Sequence, residues 1–279
     1  MKNILLIIIA FTIISCKSQN QKSTEKLNVL FVGNSFTFYH EMPQMVQTML
    51  NETNPNIQIH QSTFPGMFLL DHLEKTIISR DAESINVRKK KDTEVTETEI
   101  KLSERKWDVI ILQEGTVRVM IPELRNYKVD SAIKKIKAFV NNPNCRYILF
   151  STWASKSEYP LEYCYPGMLI DLTLEKEEEY CSENIENLEQ HNDIINSVYQ
   201  ELADNNKIER SNHTNLFLNI RKEHPEIELF DDSFHPSVYG SFLSACEFYQ
   251  LLTDKNASGI KYNGGIESDL AGILKKTAE

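Results

Sequence analysis

Leu27 to Val32 reads Leu-Asn-Val-Leu-Phe-Val, with five apolar residues in six. No alternation separates a wet face from a dry one, so the segment predicts a strand buried on both sides. Strands of that kind belong to parallel sheets, whose crossover helices cover both faces. The following chain repeats the theme. Pro43 suits the first turn of a helix, and Met45, Val46, Met49 and Leu50 form one helical stripe that ends at Asn54-Pro55-Asn56. Ile57 to His60 predicts a second strand, Val109 to Leu112 a third and Tyr147 to Phe150 a fourth. Ala132, Ile133, Ile136, Phe139 and Val140 line a helix between the last two. Ile185, Leu188, Ile195, Val198 and Leu202 mark a long helix, and Val238 to Leu252 reads as the last one. Strands alternating with helices imply an α/β fold around a mostly parallel sheet. No repeat or composition break divides residues 27–279, which are expected to form one domain.

Two stretches read as insertions on that frame, near 83–106 and 155–189. The first begins with Arg88-Lys89-Lys90-Lys91 and continues with acid/threonine alternation, which predicts a short hairpin. The second holds Tyr159, Tyr163, Tyr165 and Tyr180. It is expected to be a surface excursion whose tyrosines pack on one another or stack on a sugar ring.

The first residues read as an address. Lys2 supplies a positive start, and Ile4 to Ile14 is an apolar run of eleven residues. That is short of the roughly 18 needed to span a bilayer but fits a secretory signal. Ile13-Ile14-Ser15-Cys16 resembles a bacterial lipobox. By that resemblance residues 1–15 are a signal peptide, and Cys16 carries the lipid. Residues 16–26 are then a tether, with no apolar side chain from Lys17 to Lys26. Two acyl chains suffice for stable anchoring. The expected location is the bacterial cell envelope, with the outer membrane as the expected anchor site. The membrane is thus an expected partner through lipid alone.

Charge narrows the other partners. With 30 basic and 40 acidic residues the formal charge is −10, and nucleic acid, which selects basic surfaces, is not an expected partner. Five cysteines in 279 residues are too few for a disulfide-stapled scaffold. Beyond Cys16, the thiols of Cys145, Cys164, Cys181 and Cys246 allow three pairings or none. Cys164 and Cys181 are nearest in sequence.

The chemistry lies in short motifs beside strands and helices. Parallel α/β sheets collect ligands outside the carboxyl ends of their strands. Gly33-Asn34-Ser35 follows the first strand, where a serine hydroxyl is exposed and its own N–H points at a developing oxyanion. Asp231-Asp232-Ser233-Phe234-His235-Pro236 precedes the helix at Val238. A hydroxyl needs an adjacent base, usually a histidine oriented by a carboxylate. Asp232 stands three residues before His235, and Asp231 competes from four.

In combination these motifs resemble those of the SGNH/GDSL hydrolase superfamily, with Gly33-Asn34-Ser35-Phe36 standing where those enzymes carry Gly-Asp-Ser-Leu. The resemblance implies a flavodoxin-like three-layer α/β/α sandwich and ester hydrolysis through an acyl-enzyme. It makes Ser35 the nucleophile, His235 the general base and Asp232 the orienting carboxylate. It assigns the oxyanion hole to the N–H groups of Ser35 and Gly66 and to an asparagine after the third strand. That asparagine is missing, since Gly115-Thr116-Val117-Arg118 stands where the family writes Gly-x-Asn-Asp. Gln113 is the candidate replacement, and Leu112-Gln113-Glu114 resembles a divergent bacterial branch. Such a triad calls for no metal and no cofactor, and no cysteine or histidine cluster has zinc-ligand spacing. The expected substrate is an acylated carbohydrate or other small ester, most simply an acetyl ester. A lipase or thioesterase is the enzymatic alternative, although no long apolar lid favours it. A glycan-binding lipoprotein that has lost catalysis is the alternative that Val117 raises.

Overall fold

The computed structural model describes residues 26–81 and 84–279. The expected signal peptide and Cys16 lie outside the described residues. In chain order the strands are β1 Leu27–Gly33, β2 Ile57–Thr63, β3 Lys75–Arg80, β4 Ile85–Lys89, β5 Val109–Gln113, β6 Arg146–Phe150, β7 Cys164–Pro166, β8 Glu179–Cys181 and β9 Glu209–Arg210. Five of them form the central sheet in the order β2-β1-β5-β6-β9, and every neighbouring pair is parallel. Renumbered along the chain, that order is 2-1-3-4-5, the flavodoxin-like arrangement, and it reverses between β1 and β5.

Side chains alternate across the sheet as a strand's period of two requires. Val29, Phe31, Ile111, Ile148 and Phe150 point to one face, where the helices Met42–Thr53, His213–Glu223, Val238–Thr253 and Ser268–Thr277 cover them. Leu30, Val32, Ile110, Leu112 and Leu149 point to the other, beneath Glu97–Ser103, Ser131–Phe139 and Leu188–Asn206. Each helix presents an apolar stripe, so burial explains three layers directly. The expected α/β/α sandwich is what forms.

Several elements differ from expectation. The acid/threonine alternation is not a hairpin but the start of helix Glu97–Ser103. Thr96 Oγ1 accepts from Glu99 N–H at 3.0 Å, and the Glu99 carboxylate accepts from Thr96 N–H at 2.7 Å. Such a capping box stabilises a helix start by about 1 kcal/mol, enough to outweigh weak alternation. The hairpin lies upstream, between β3 and β4. The long helix starts at Leu188, capped by Asn187, while Ile185 bridges to Leu161. Val238–Thr253 is not the last helix, because Ser268–Thr277 packs beyond it. The two-residue strand β9 and the helix His213–Glu223 were also not expected. The pairing left open resolves to a Cys164–Cys181 disulfide, with the two residues opposite one another in β7 and β8. Cys145 and Cys246 are free thiols. Among the described residues, no helix is long and apolar enough to cross a membrane.

Buried histidines make the fold acid-sensitive. Burial holds the imidazoles of His72, His191 and His213 down at about 4, 4 and 3, against an ordinary value near 6.5. Between those values the unfolded chain takes up protons that the folded chain refuses, so acidification favours unfolding. Burial pushes Glu114 up to about 7 and also raises Glu247. Both acids oppose the trend, but they are fewer and His60 shifts the same way as the other histidines. The melting temperature is expected to fall steadily from pH 6.5 to pH 4.5. A flat profile across that window would contradict neutral buried imidazoles.

Candidate active site

The carboxyl end of β1 runs into a tight turn that leaves no room beside Gly33. A Cβ there would lie 2.6 Å from both Gln113 Oε1 and Thr37 Oγ1. Glycine therefore lets the turn press against β5. The turn is held from below by side chains. Gln113 Oε1 accepts from Asn34 N–H at 2.8 Å and from the Thr37 hydroxyl at 3.1 Å. Gly33 O accepts from Phe64 N–H at 3.1 Å and from His72 Nε2 at 3.0 Å. With Nε2 donating, His72 Nδ1 accepts from the Thr98 hydroxyl at 2.7 Å, the neutral state that burial enforces. Asn34 caps the short helix Ser35–Phe38 by accepting from Phe36 N–H. Ser35 is thus the first residue of that helix, and a first-turn N–H has no partner inside the helix.

The histidine arrives from the other end of the chain. An antiparallel bridge between Phe230 and Pro236 closes the loop that carries it. Two further bonds tie this loop to the segment after β6, from Lys156 N–H to Ser233 O at 2.7 Å and from Trp153 Nε1 to Phe234 O at 2.9 Å. His235 Nε2 lies 2.9 Å from Ser35 Oγ, across 200 residues of sequence. His235 Nδ1 lies 2.6 Å from Asp232 Oδ2, and the other Asp232 oxygen accepts from the N–H groups of Phe234 and His235. Partial burial pushes the Asp232 carboxyl upward. The bonds from the His235 ring and the two backbone N–H groups outweigh it and hold the group at about 2. Asp232 is therefore ionised across the physiological range and fixes the histidine with Nε2 free to accept from Ser35. Asp231 turns away to His40 Nε2, 2.7 Å distant.

Ser35, His235 and Gly66 line one cavity of about 840 Å³. Gly66 has φ +64° with open space around its Cβ position, so glycine is there for its backbone and not for lack of room. Neither Ser35 N–H nor Gly66 N–H bonds to another backbone carbonyl among the described residues. Gln113 sits elsewhere. It is fully buried beneath the turn and contributes nothing to the cavity wall, and its amide nitrogen meets no partner. Gln113 instead holds the turn that carries Ser35. Val117 packs on a small apolar cluster around Ile121, Leu124 and Ile170.

Sequence reasoning missed several neighbours. The Tyr39 ring stacks flat on His235, with centroids 4.3 Å apart and planes 4° from parallel, and Phe234 lies 4.2 Å away on a tilt. The two rings pin the imidazole plane between them. His40 and Glu41 both adopt left-handed backbone, φ 49° and 56°, at a cost of about 1–2 kcal/mol each. The His40–Asp231 contact holds that kink over the cavity. Glu114, fully buried, accepts from Leu69 N–H and Gly115 N–H, which ties the loop after Gly66 to the end of β5.

No family model matches the chain, and no curated protein matches it. Solved structures do. A DUF4886 family protein from Bacteroides uniformis aligns with a TM-score of 0.66 at 16% identity, covering 91% of this chain and 93% of that one. A Slackia heliotrinireducens protein assigned as an SGNH hydrolase aligns at 0.52 and 15% identity, over 82% of this chain and 100% of its own. A Parabacteroides merdae protein assigned as a GDSL-like lipase aligns at 0.51 and 13% identity, over 82% and 96%. At such identities a likeness speaks for architecture. With the 2-1-3-4-5 sheet and its serine at the reversal point, the chain has the α/β/α fold of the SGNH/GDSL hydrolases.

Proposed function

We propose that the protein is a serine esterase that cleaves carboxylic esters through an acyl-enzyme. The observation that carries this reading is the continuous line from Ser35 Oγ to His235 Nε2 to Asp232 Oδ2, at 2.9 and 2.6 Å. As Ser35 Oγ attacks the carbonyl carbon, its proton passes to His235 Nε2. The oxyanion that forms is met by the N–H groups of Ser35 and Gly66. When the intermediate collapses, the bond to the alcohol oxygen breaks and His235 returns the proton to the departing alkoxide. Water, deprotonated by the same nitrogen, then releases the acid and restores Ser35. Two backbone donors without the side-chain amide as a third weaken oxyanion stabilisation, since one donor is commonly worth about 3–4 kcal/mol.

The proposed substrate is an acetylated carbohydrate. Aromatic rings of Phe38, Tyr39 and Phe234 supply apolar surface in the cavity, and Glu41 and Asp231 supply acceptors for sugar hydroxyls. Charged groups at that rim favour a polar alcohol over a lipid chain. The test is covalent labelling by a fluorophosphonate together with acetate release from acetylated sugars. A folded protein that resists the label and releases no acetate has lost catalysis, and the glycan-binding reading replaces this one.

The lipobox at Cys16 supports anchoring in the cell envelope, and the Cys164–Cys181 disulfide suits the oxidising compartment that export implies. Cys16→Ala is expected to abolish palmitate incorporation and to move the protein from the membrane fraction to the soluble one. Palmitate labelling that survives this substitution would rule out Cys16 as the acceptor.

A further inference from the structure

Past Phe36, Phe68, Gly115 and Phe234 the catalytic cavity continues into a second pocket of about 370 Å³. The two spaces share those four residues and differ in charge. Glu41 and Asp231 line the first, whereas no aspartate or glutamate lines the second. That is notable in a chain whose acids outnumber its bases 40 to 30. The charged residues of the second wall are Arg118 and Lys156. Lys156 is already paired with Glu228 at 2.6 Å. Arg118 is held differently. Its side chain is 11% exposed, and its guanidinium lies 4.0 Å over the Phe68 ring. Among the described residues its ionic neighbour is Glu114 at 3.6 Å, beyond hydrogen-bond range, and Nε is buried without a partner. Glu114 directs both oxygens to backbone N–H groups. His191, in the same wall, likewise has a buried Nε2 with no partner, while Nδ1 meets the Tyr159 hydroxyl at 3.1 Å. Arg118 thus brings to an acid-free wall a guanidinium that no acceptor among the described residues meets within hydrogen-bond range, and a partly buried cation so placed favours an anionic ligand. Stacking on Phe68 fixes the plane of the guanidinium, which suits a planar, two-oxygen acceptor.

We propose that this pocket is a subsite for a carboxylate on the ester substrate, held by Arg118. The proposal rests on the esterase reading above and adds the substrate's charge. The carboxylate belongs either to the alcohol, as in a uronic acid, or to the acyl group, and the two sources are separable. One arm compares acetylated glucuronate with acetylated glucose, and the other 4-nitrophenyl hemiglutarate with 4-nitrophenyl valerate. In one arm kcat/KM is expected to favour the acid about tenfold, from a charge-assisted bond in a partly buried site, and added salt is expected to shrink that preference. Arg118→Gln is expected to bring the ratio close to one, and Arg118→Lys to retain part of it. A ratio near one in both arms, or one that Arg118→Gln leaves unchanged, overturns the proposal while leaving the esterase reading intact. Thermal-shift titration of the full chain with glucuronate, glucose and glutarate reads the subsite without turnover. Stabilisation by an acidic probe but not by glucose, weakened by salt, supports the subsite even if no ester is cleaved. No stabilisation by either acid overturns it.

Discussion

Replacing Ser35 by alanine is expected to lower acetate release from acetylated sugars by about 10⁴-fold or more, since residual rates in triad enzymes come from binding and oxyanion contacts alone. The expectation is sharp because, among the described residues, the Ser35 hydroxyl has one side-chain hydrogen bond, to His235 Nε2 at 2.9 Å. The turn itself hangs on backbone and on Gln113, Thr37 and His72. Melting temperature is accordingly expected to change little, which separates lost chemistry from lost fold. Fluorophosphonate labelling is expected to vanish in the same variant. Turnover that survives would remove Ser35 from its role and, with it, the esterase reading.

Asp232→Asn is the second large effect, expected at about 10⁴-fold in kcat on the precedent of triads in which the carboxamide forces the wrong tautomer. Asparagine can keep the oxygen that accepts from Phe234 and His235 N–H, so the loop survives. Its NH2 then faces His235 Nδ1, which becomes the acceptor. The proton moves to Nε2, where it blocks the lone pair that Ser35 needs. Asp231→Asn provides the comparison, because Asp231 meets His40 and not the base. Its effect is expected to be far smaller. The reverse order of effects, measured as kcat for the two variants side by side, would transfer the orienting role to Asp231.

The parts legible in the sequence were those with a local cause. Leu27–Gly33 announces itself because burial on two faces removes polar residues. The approach of Ser35, Asp232 and His235 to one another was legible because a serine turn after a strand and a three-residue carboxylate–histidine spacing are short-range features. Residues 94–103 misled because acid/threonine alternation mimics a strand, whereas the Thr96–Glu99 box acts across one turn and decides the outcome. β9 is two residues long, too short for any period to show. The Gln113 assignment failed for a different reason. A residue at the end of β5 can face the cavity or the neighbouring turn, and only the approach of Gly33, close enough to exclude a Cβ, determines which. Tyr39 on His235 and Arg118 on Phe68 likewise depend on segments distant in the chain coming together, which no local pattern encodes.

The span of 200 residues between hydroxyl and imidazole also sets when this chemistry can begin. Synthesis proceeds from the amino end, so the Ser35 hydroxyl emerges first. It then waits, an ordinary alcohol, until almost the whole polypeptide has followed. The helix Val238–Thr253, which packs on the same core as Met42–Thr53, brings its preceding loop home only at that late stage. On the esterase reading, activity and completion of the tertiary structure are one event, and a nascent chain is inert towards esters.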